Sequence, residues 1–144
     1  MIENPIISNE FKDKIGVEWE LGVYEIEKGM IRRFAQAIDD PNLLWDTTAP
    51  PTFIVTIGGE QFGQQIITPM FPEGLLHGST ELECYQPVRP GDEITVIGKI
   101  ANIRERSKMA FVTFDITYTN QRRELVARCQ QTLIGYETGK EKNG

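Results

Sequence analysis

The sequence is poor in histidine and cysteine, and this scarcity limits the metal chemistry open to it. Its 144 residues contain one histidine, His77, and two cysteines, Cys84 and Cys129. The cysteines lie inside strand-like segments rather than in the closely spaced cluster of Cys and His that a structural zinc site needs. No metal site is therefore expected, and we interpret both cysteines as reduced thiols in the protein core.

The sequence also lacks an excess of positive charge and any long apolar run. It has 15 Lys and Arg against 21 Asp and Glu, a formal net charge of -6, which argues against nonspecific binding of nucleic acid. No window approaches the roughly 20 apolar residues that cross a bilayer. Residues 1–14 are polar and contain acids and a proline, unlike a secretory signal, so we expect a cytoplasmic protein.

The first part of the chain predicts a strand followed by a helix. Apolar and polar residues alternate over residues 18–26, which predicts a strand with Trp19, Leu21 and Val23 on one apolar face. Apolar residues then recur at helical spacing, which predicts an amphipathic helix from Gly29 to about Asp39. The proline that follows helps to end this helix.

The second half of the chain predicts an antiparallel meander of four long strands. They span residues 79–87, 92–103, 109–119 and 124–136. Within 109–119 the even-numbered residues are apolar, whereas the odd-numbered set, which includes Asp115, is more polar and is expected on the exposed face. Residues 43–76 contain four prolines and many β-branched residues, and their pattern does not decide between helix and strand.

Several segments resemble the MaoC-like dehydratases, in particular the N-terminal half of double-hot-dog enoyl thioester hydratases. They read YEIEKGMIRRFAQAIDDPN, APPTF, ELECYQPVRPGDEITVIGKIANIRER and FVTFDITYTNQRRELVARCQQTLI. The resemblance covers roughly residues 16–136 and implies an α+β hot-dog fold, a long antiparallel sheet around a central helix at Thr52–Gln65. We expect one such domain over residues 1–137, followed by a disordered polar tail, residues 138–144.

The resemblance also implies a chemistry, the reversible hydration of a trans-2-enoyl thioester to an (R)-3-hydroxyacyl thioester. In that family an aspartate and a histidine, in the motif Asp-x-Asn-Pro-x-His, hold the reacting water between them. Aligning the motif places Asp40 at the aspartate, Asn42 at the asparagine and Trp45 at the histidine. An indole cannot exchange a proton near neutral pH. The dyad is therefore incomplete, unless His77 supplies the imidazole from elsewhere in the chain.

Each candidate residue also has a purely structural interpretation. Asp40, with the aspartate before it, is also an ordinary solvated residue at the end of a helix. Trp45 and Phe53 suit either an acyl pocket or the core. Arg104 and Lys108, in the cluster RERSK, suit either coenzyme A phosphates or a solvated hairpin. Asn42, at the asparagine of the motif, is a candidate substrate-binding residue.

Three functions remain open at this point. The leading hypothesis is a subunit of an (R)-specific enoyl-CoA or enoyl-ACP hydratase, working beside a MaoC-like partner that carries the complete dyad. The alternative is a self-sufficient homodimeric hydratase or acyl-CoA thioesterase that uses Asp40 and His77, and the third is a non-catalytic acyl thioester binding protein. All three imply a dimer or larger assembly, and none requires a cofactor beyond the thioester's own carrier.

Overall fold

The computed structural model describes residues 6–136 as one antiparallel sheet around a short central helix. Apart from the central helix, the helices and strands are α1 Asn9–Lys12, β1 Glu18–Glu25, α2 Lys28–Ala37, β2 Leu75–Cys84, β3 Glu93–Arg106, β4 Met109–Thr119 and β5 Leu125–Tyr136. Two 3-10 turns follow α2, at Leu43–Asp46 and Pro51–Thr56. The central helix consists of three consecutive segments, α-helical Gly59–Phe62, π-helical Gly63–Ile67 and α-helical Thr68–Met70.

The five strands form one sheet in the order β1-β3-β4-β5-β2, and every neighbouring pair is antiparallel. This confirms the predicted α+β hot-dog fold. The four-stranded meander was wrong in one connection, because only β3, β4 and β5 are consecutive neighbours and β2 pairs with β5 instead of β3. Strand β4 begins and ends where predicted, whereas β2 begins at Leu75, four residues before its predicted start. The predicted domain limit at residue 137 and the tail beyond it lie outside the described residues.

The central helix begins later than predicted, and one glycine explains why. The resemblance implied a helix over Thr52–Gln65, but Pro51–Thr56 forms a separate 3-10 turn and Ile57 is extended. Gly58 then has a φ of +78°, a left-handed conformation that side chains with a Cβ rarely adopt. The helix begins at the next residue and runs from Gly59 to Met70 instead.

The core lies between this helix and the concave face of the sheet. The buried helix residue Phe62 meets Phe114 of β4 edge to face, with ring centroids 5.1 Å apart, and Ile66 is fully buried beside it. The even-numbered residues of β4 are all buried, as predicted. The expectation for Asp115 was wrong: it is only 8% exposed, because Arg128 Nη2 donates to both of its carboxylate oxygens, at 3.1 and 3.2 Å.

A bulge in β1 overturns the predicted face of Val23. The register of β1 against β3 shifts between Glu20 and Val23, and Gly22, inside the bulge, has a φ of +114°. An extra residue in one strand moves all later side chains to the opposite face. Leu21 is therefore buried at 1% exposure, whereas Val23 is 52% exposed.

The two cysteines lie in different environments, so the prediction of two core thiols was half wrong. Cys129 of β5 is fully buried, but Cys84 is exposed at the end of β2. Strand β2 is at the edge of the sheet and none of its residues is buried, although Leu75 and Leu82 are half-buried against the core. Within residues 6–136, no helix is both long and apolar enough to cross a bilayer.

Candidate functional site

The Asp-Asp-Pro-Asn segment ends α2 with a well-formed turn. Asp39 has a φ of +53°, and its N–H donates to the carbonyl of Gln36 at 3.1 Å. The N–H of Asp40 reaches back to the carbonyl of Ala35 at 2.9 Å. These two bonds form a Schellman motif with an aspartate in the place usually taken by glycine. The turn carries Asp40 away from the helix and towards the following residues.

The side chains of Asp40 and Asn42 shape the next turn. Asp40 Oδ1 accepts from the N–H of Asn42 at 3.1 Å, and Asn42 Oδ1 accepts from the N–H of Leu44 at 3.0 Å. The second bond caps the 3-10 turn Leu43–Asp46. These contacts fit the structural interpretation of both residues, and they also fix the position of the carboxylate.

The three residues aligned with the family motif line one open, polar pocket. Its volume is about 300 Å³, and its wall includes Arg32, Asp39, Asp40, Asn42, Trp45 and Asp46. The fold therefore brings together the carboxylate, the amide and the indole that the sequence alignment placed in one motif. Among the side chains lining this pocket there is no imidazole.

Trp45 separates this polar pocket from a second, more apolar one. It lines both, and the second pocket has a volume of about 380 Å³. The indole Nε1 is buried and has no hydrogen-bond partner among residues 6–136. An unpaired buried N–H is unusual in a folded protein and costs free energy. The indole is thus shared by the walls of both pockets.

The apolar pocket was not predicted from the sequence. It lies between the 3-10 turns and the neighbouring ends of β2 and β5, with Leu44, Ile54, Cys84, Tyr85, Val88 and Val126 among its walls. Only the folded sheet brings these distant residues together, and no spacing in the sequence indicates it. The pocket is adjacent to the motif residues because Trp45 belongs to both walls.

Two groups at the mouth of the apolar pocket keep their protons at neutral pH. Partial burial raises the pKa of the Cys84 thiol, so little of it is in the reactive thiolate form. The hydroxyl of Tyr85 donates to Glu83 Oε2 at 2.6 Å, and this bond to a carboxylate raises the pKa of Tyr85. Both shifts therefore favour the protonated, less nucleophilic forms.

The remaining candidates lie away from the motif. His77 is exposed on β2, with Nε2 2.6 Å from Thr80 Oγ1, and it lines neither pocket. Phe53 is 2% exposed in the core, where its ring meets Phe34 edge to face at 5.6 Å. The chain therefore does not bring His77 next to Asp40 within one molecule.

The basic cluster lies at the hairpin between β3 and β4. The Arg104 guanidinium lies 5.4 Å from the centroid of the Phe111 ring, and Lys108, with a φ of +63°, is in the turn itself. Neither residue lines either pocket. Among residues 6–136, no group of three or more His, Cys, Asp or Glu is arranged to hold a metal ion.

Comparison with known proteins gives a consistent family and fold. The family model described as FAS1-like, dehydratase domain region matches residues 13–129. A UPF0336 protein from Parafrankia sp. is 30% identical over 132 residues, which cover 80% of this chain and 86% of that protein. A UPF0336 protein from Streptomyces avermitilis is 32% identical over 96 residues, which are 56% of this chain and 64% of that relative, slightly less than two thirds of its length.

Solved structures share the fold at lower identity. The C-terminally truncated HadBC (3R-hydroxyacyl-ACP dehydratase) complex from Mycobacterium tuberculosis matches with a TM-score of 0.71 at 21% identity, over 83% of this chain and 95% of the matched one. A MaoC-like dehydratase from Rhodospirillum rubrum matches with a TM-score of 0.63 at 23% identity, over 85% and 92%.

Proposed function

This chain belongs to the FAS1-like dehydratase domain family and shares its fold with a MaoC-like dehydratase, and we propose that it is the supporting subunit of an (R)-specific enoyl thioester hydratase. In this proposal its partner is a MaoC-like chain that carries both the aspartate and the histidine. The observation that carries the proposal is Trp45, which stands at the histidine position and lines the same pocket as Asp40 and Asn42. In this proposal the pocket offers the carboxylate and the amide of the motif, with an indole in place of the imidazole.

The proposed reaction needs two proton-transfer groups. Hydration of an enoyl thioester requires a base that takes a proton from water and an acid that protonates the α-carbon, and each such group is typically worth about 10²- to 10⁴-fold in rate. Asp40 can serve as one of them. Trp45 cannot serve as the other, because its N–H does not ionise near neutral pH. A single chain with this pocket is therefore a poor hydratase.

The apolar pocket suggests what this chain contributes instead. Its wall includes Leu44, Ile54 and Val126, and ligand pockets are commonly apolar with a few polar groups. We assign it the acyl part of a thioester whose reacting carbons lie at the partner's dyad. The HadBC structure, a complex of similar fold named as a 3R-hydroxyacyl-ACP dehydratase, supports an assembly of this kind. The carrier, coenzyme A or acyl carrier protein, stays open.

An assay of turnover tests the proposal directly. The purified chain is incubated with crotonyl-coenzyme A and with longer trans-2-enoyl thioesters, first alone and then co-expressed with a dyad-bearing MaoC-like chain. We expect weak or no hydration by the chain alone, and activity in the mixture that exceeds that of the partner alone, most clearly on longer acyl chains. No gain over the partner alone would count against a supporting role.

A second candidate is a homodimeric hydratase or thioesterase that uses Asp40 with His77. One observation favours it: His77 is exposed on an edge strand, where a second copy of the chain could approach it. Rapid turnover by the pure chain, lost in His77→Ala, would support this candidate. The matched control is Ser79→Ala, an equally exposed position on the same strand, which should leave turnover unchanged. Binding of an acyl thioester without turnover in any mixture would instead support a binding protein.

A further inference from the structure

Strand β2 is an uncovered edge of the sheet. One side of the strand is hydrogen-bonded to β5, and no strand follows on the other side among residues 6–136. None of the ten residues of β2 is buried, although the adjacent strand β5, and β4 beyond it, bury their inward residues. The opposite edge strand, β1, does bury its inward Leu21. Since an exposed strand edge is a template for pairing, β2 is the edge that needs a partner.

Large apolar side chains lie exposed at both ends of this strand. Leu76 is 54% exposed near its start, and Tyr85 is 50% exposed just after its end. Leu44, which is also 54% exposed, lines the apolar pocket together with Tyr85. Clustered exposed apolar groups of this kind mark interaction surfaces. The β2 edge therefore carries both free backbone groups and apolar anchors for a second protein.

The charge of the strand limits which protein that can be. Strand β2 contains Glu81 and Glu83 and neither lysine nor arginine. Glu83 lies opposite Arg128 of β5, which balances part of its charge. Glu81 lies opposite the neutral Gln130, and no hydrogen bond or ion pair within residues 6–136 engages its carboxylate. The edge is therefore acidic, on a chain whose overall charge is already -6.

We propose that Glu81 and Glu83 select the partner at this edge, and that the preferred partner is a hot-dog chain with lysine or arginine on its facing strand rather than a second copy of this chain. Two copies paired through β2 would bring four carboxylates to one seam, and like charges across an interface weaken association and exclude that partner. A basic strand would turn the same groups into attractive pairs. This inference rests on the proposed function, because it specifies the partner that the supporting role requires.

Charge reversal of the chain itself provides a defined basic partner. The double variant Glu81→Lys/Glu83→Lys keeps the backbone and the apolar anchors and inverts the charge of the strand. Wild type and variant are measured separately and as an equimolar mixture, by sedimentation velocity at 50 mM and 500 mM salt. We expect the Kd of the mixed dimer to be about tenfold lower than either self-dimer at low salt, a difference that high salt reduces because these groups are exposed.

A matched reversal on the other edge tests the location. Glu18→Lys/Glu20→Lys changes two exposed acids of β1 by the same amount, and mixing it with wild type should give no comparable gain. The neutral variant Glu81→Gln/Glu83→Gln should self-associate more tightly than wild type, which keeps the test independent of whether the reversed variant folds well. Any of three results would overturn the proposal: a mixed dimer that is no tighter than the self-dimers, an equal gain from the β1 control, or a tight wild-type homodimer that is insensitive to salt. The readout is association alone, so a failed hydratase assay leaves it unaffected.

Discussion

Replacing Phe53 by alanine separates the two interpretations of this residue, an acyl-pocket wall or part of the core. The side chain is 2% exposed and its ring packs edge to face on Phe34 at 5.6 Å. Truncation of a buried phenylalanine typically costs about 3–5 kcal/mol of unfolding free energy, of which an aromatic pair supplies about 0.5–1.5 kcal/mol. We therefore expect Phe53→Ala to remove a large part of the roughly 5–15 kcal/mol that stabilises a domain.

The expected change in melting temperature follows from the length of the chain. A specific unfolding entropy of about 2.1 cal/mol/K per residue gives about 0.3 kcal/mol/K for 144 residues. A loss of about 3–5 kcal/mol thus lowers Tm by roughly 10–17 °C. Urea and thermal unfolding followed by circular dichroism measure both quantities on the same sample. The control is Leu43→Ala, at a position 81% exposed, which should change stability by no more than about 0.5 kcal/mol.

A double-mutant cycle with Phe34→Ala isolates the aromatic contact. The coupling between the two positions should be about 0.5–1.5 kcal/mol, because each single change already removes the ring pair. The reasoning is refuted if Phe53→Ala loses less than about 1 kcal/mol of stability and yet weakens the binding of acyl thioesters. That result would assign Phe53 to the pocket wall and would show that the core tolerates the gap.

Three further predictions follow from single residues. Gly58→Ala should lower stability by about 1–3 kcal/mol in urea unfolding, because φ is +78° and a Cβ would lie 3.2 Å from the nearest side chain. The control Gly59→Ala, with open space around it, should leave stability unchanged. Equal effects of the two substitutions would exclude backbone strain as the cause. Trp45→His should remain at least about 10²-fold below a dyad-bearing enzyme in hydration rate, because an imidazole must come within roughly 2.6–3.2 Å of the proton it moves; strong stereospecific turnover would contradict this. Maleimide should label Cys84 but not Cys129 in the folded protein, and the labelling rate of Cys84 should rise with pH as its thiol, whose pKa is raised, loses its proton. Burial also raises the pKa of Cys129, so the folded state holds that proton more tightly than the unfolded state does. The free energy of unfolding should therefore fall as pH rises above about 8.5, which urea titrations from pH 7 to 10 would reveal.

Local patterns in the sequence determined several of the regular elements and the residues of the candidate motif. The limits of β4 and its buried even-numbered face follow from a period of two, which depends only on neighbouring residues. The lack of an imidazole at position 45 could also be predicted, because the sequence itself has a tryptophan there and an indole cannot perform the proton transfer of an imidazole. Motif alignment also grouped Asp40, Asn42 and Trp45, and the fold brings these three together at one pocket.

Tertiary structure decided every feature that depends on a second segment of chain. Val23 changed face because one extra residue in β1 shifted its register against β3, and pairing registers are set by both strands. Asp115 is buried because Arg128 of the next strand binds its carboxylate. Cys84 is exposed because β2 is an edge strand of the sheet, where no residue is buried. The burial of a side chain and its hydrogen-bond partners depend on how the whole molecule packs. A local sequence pattern shows only which side chains are compatible with burial.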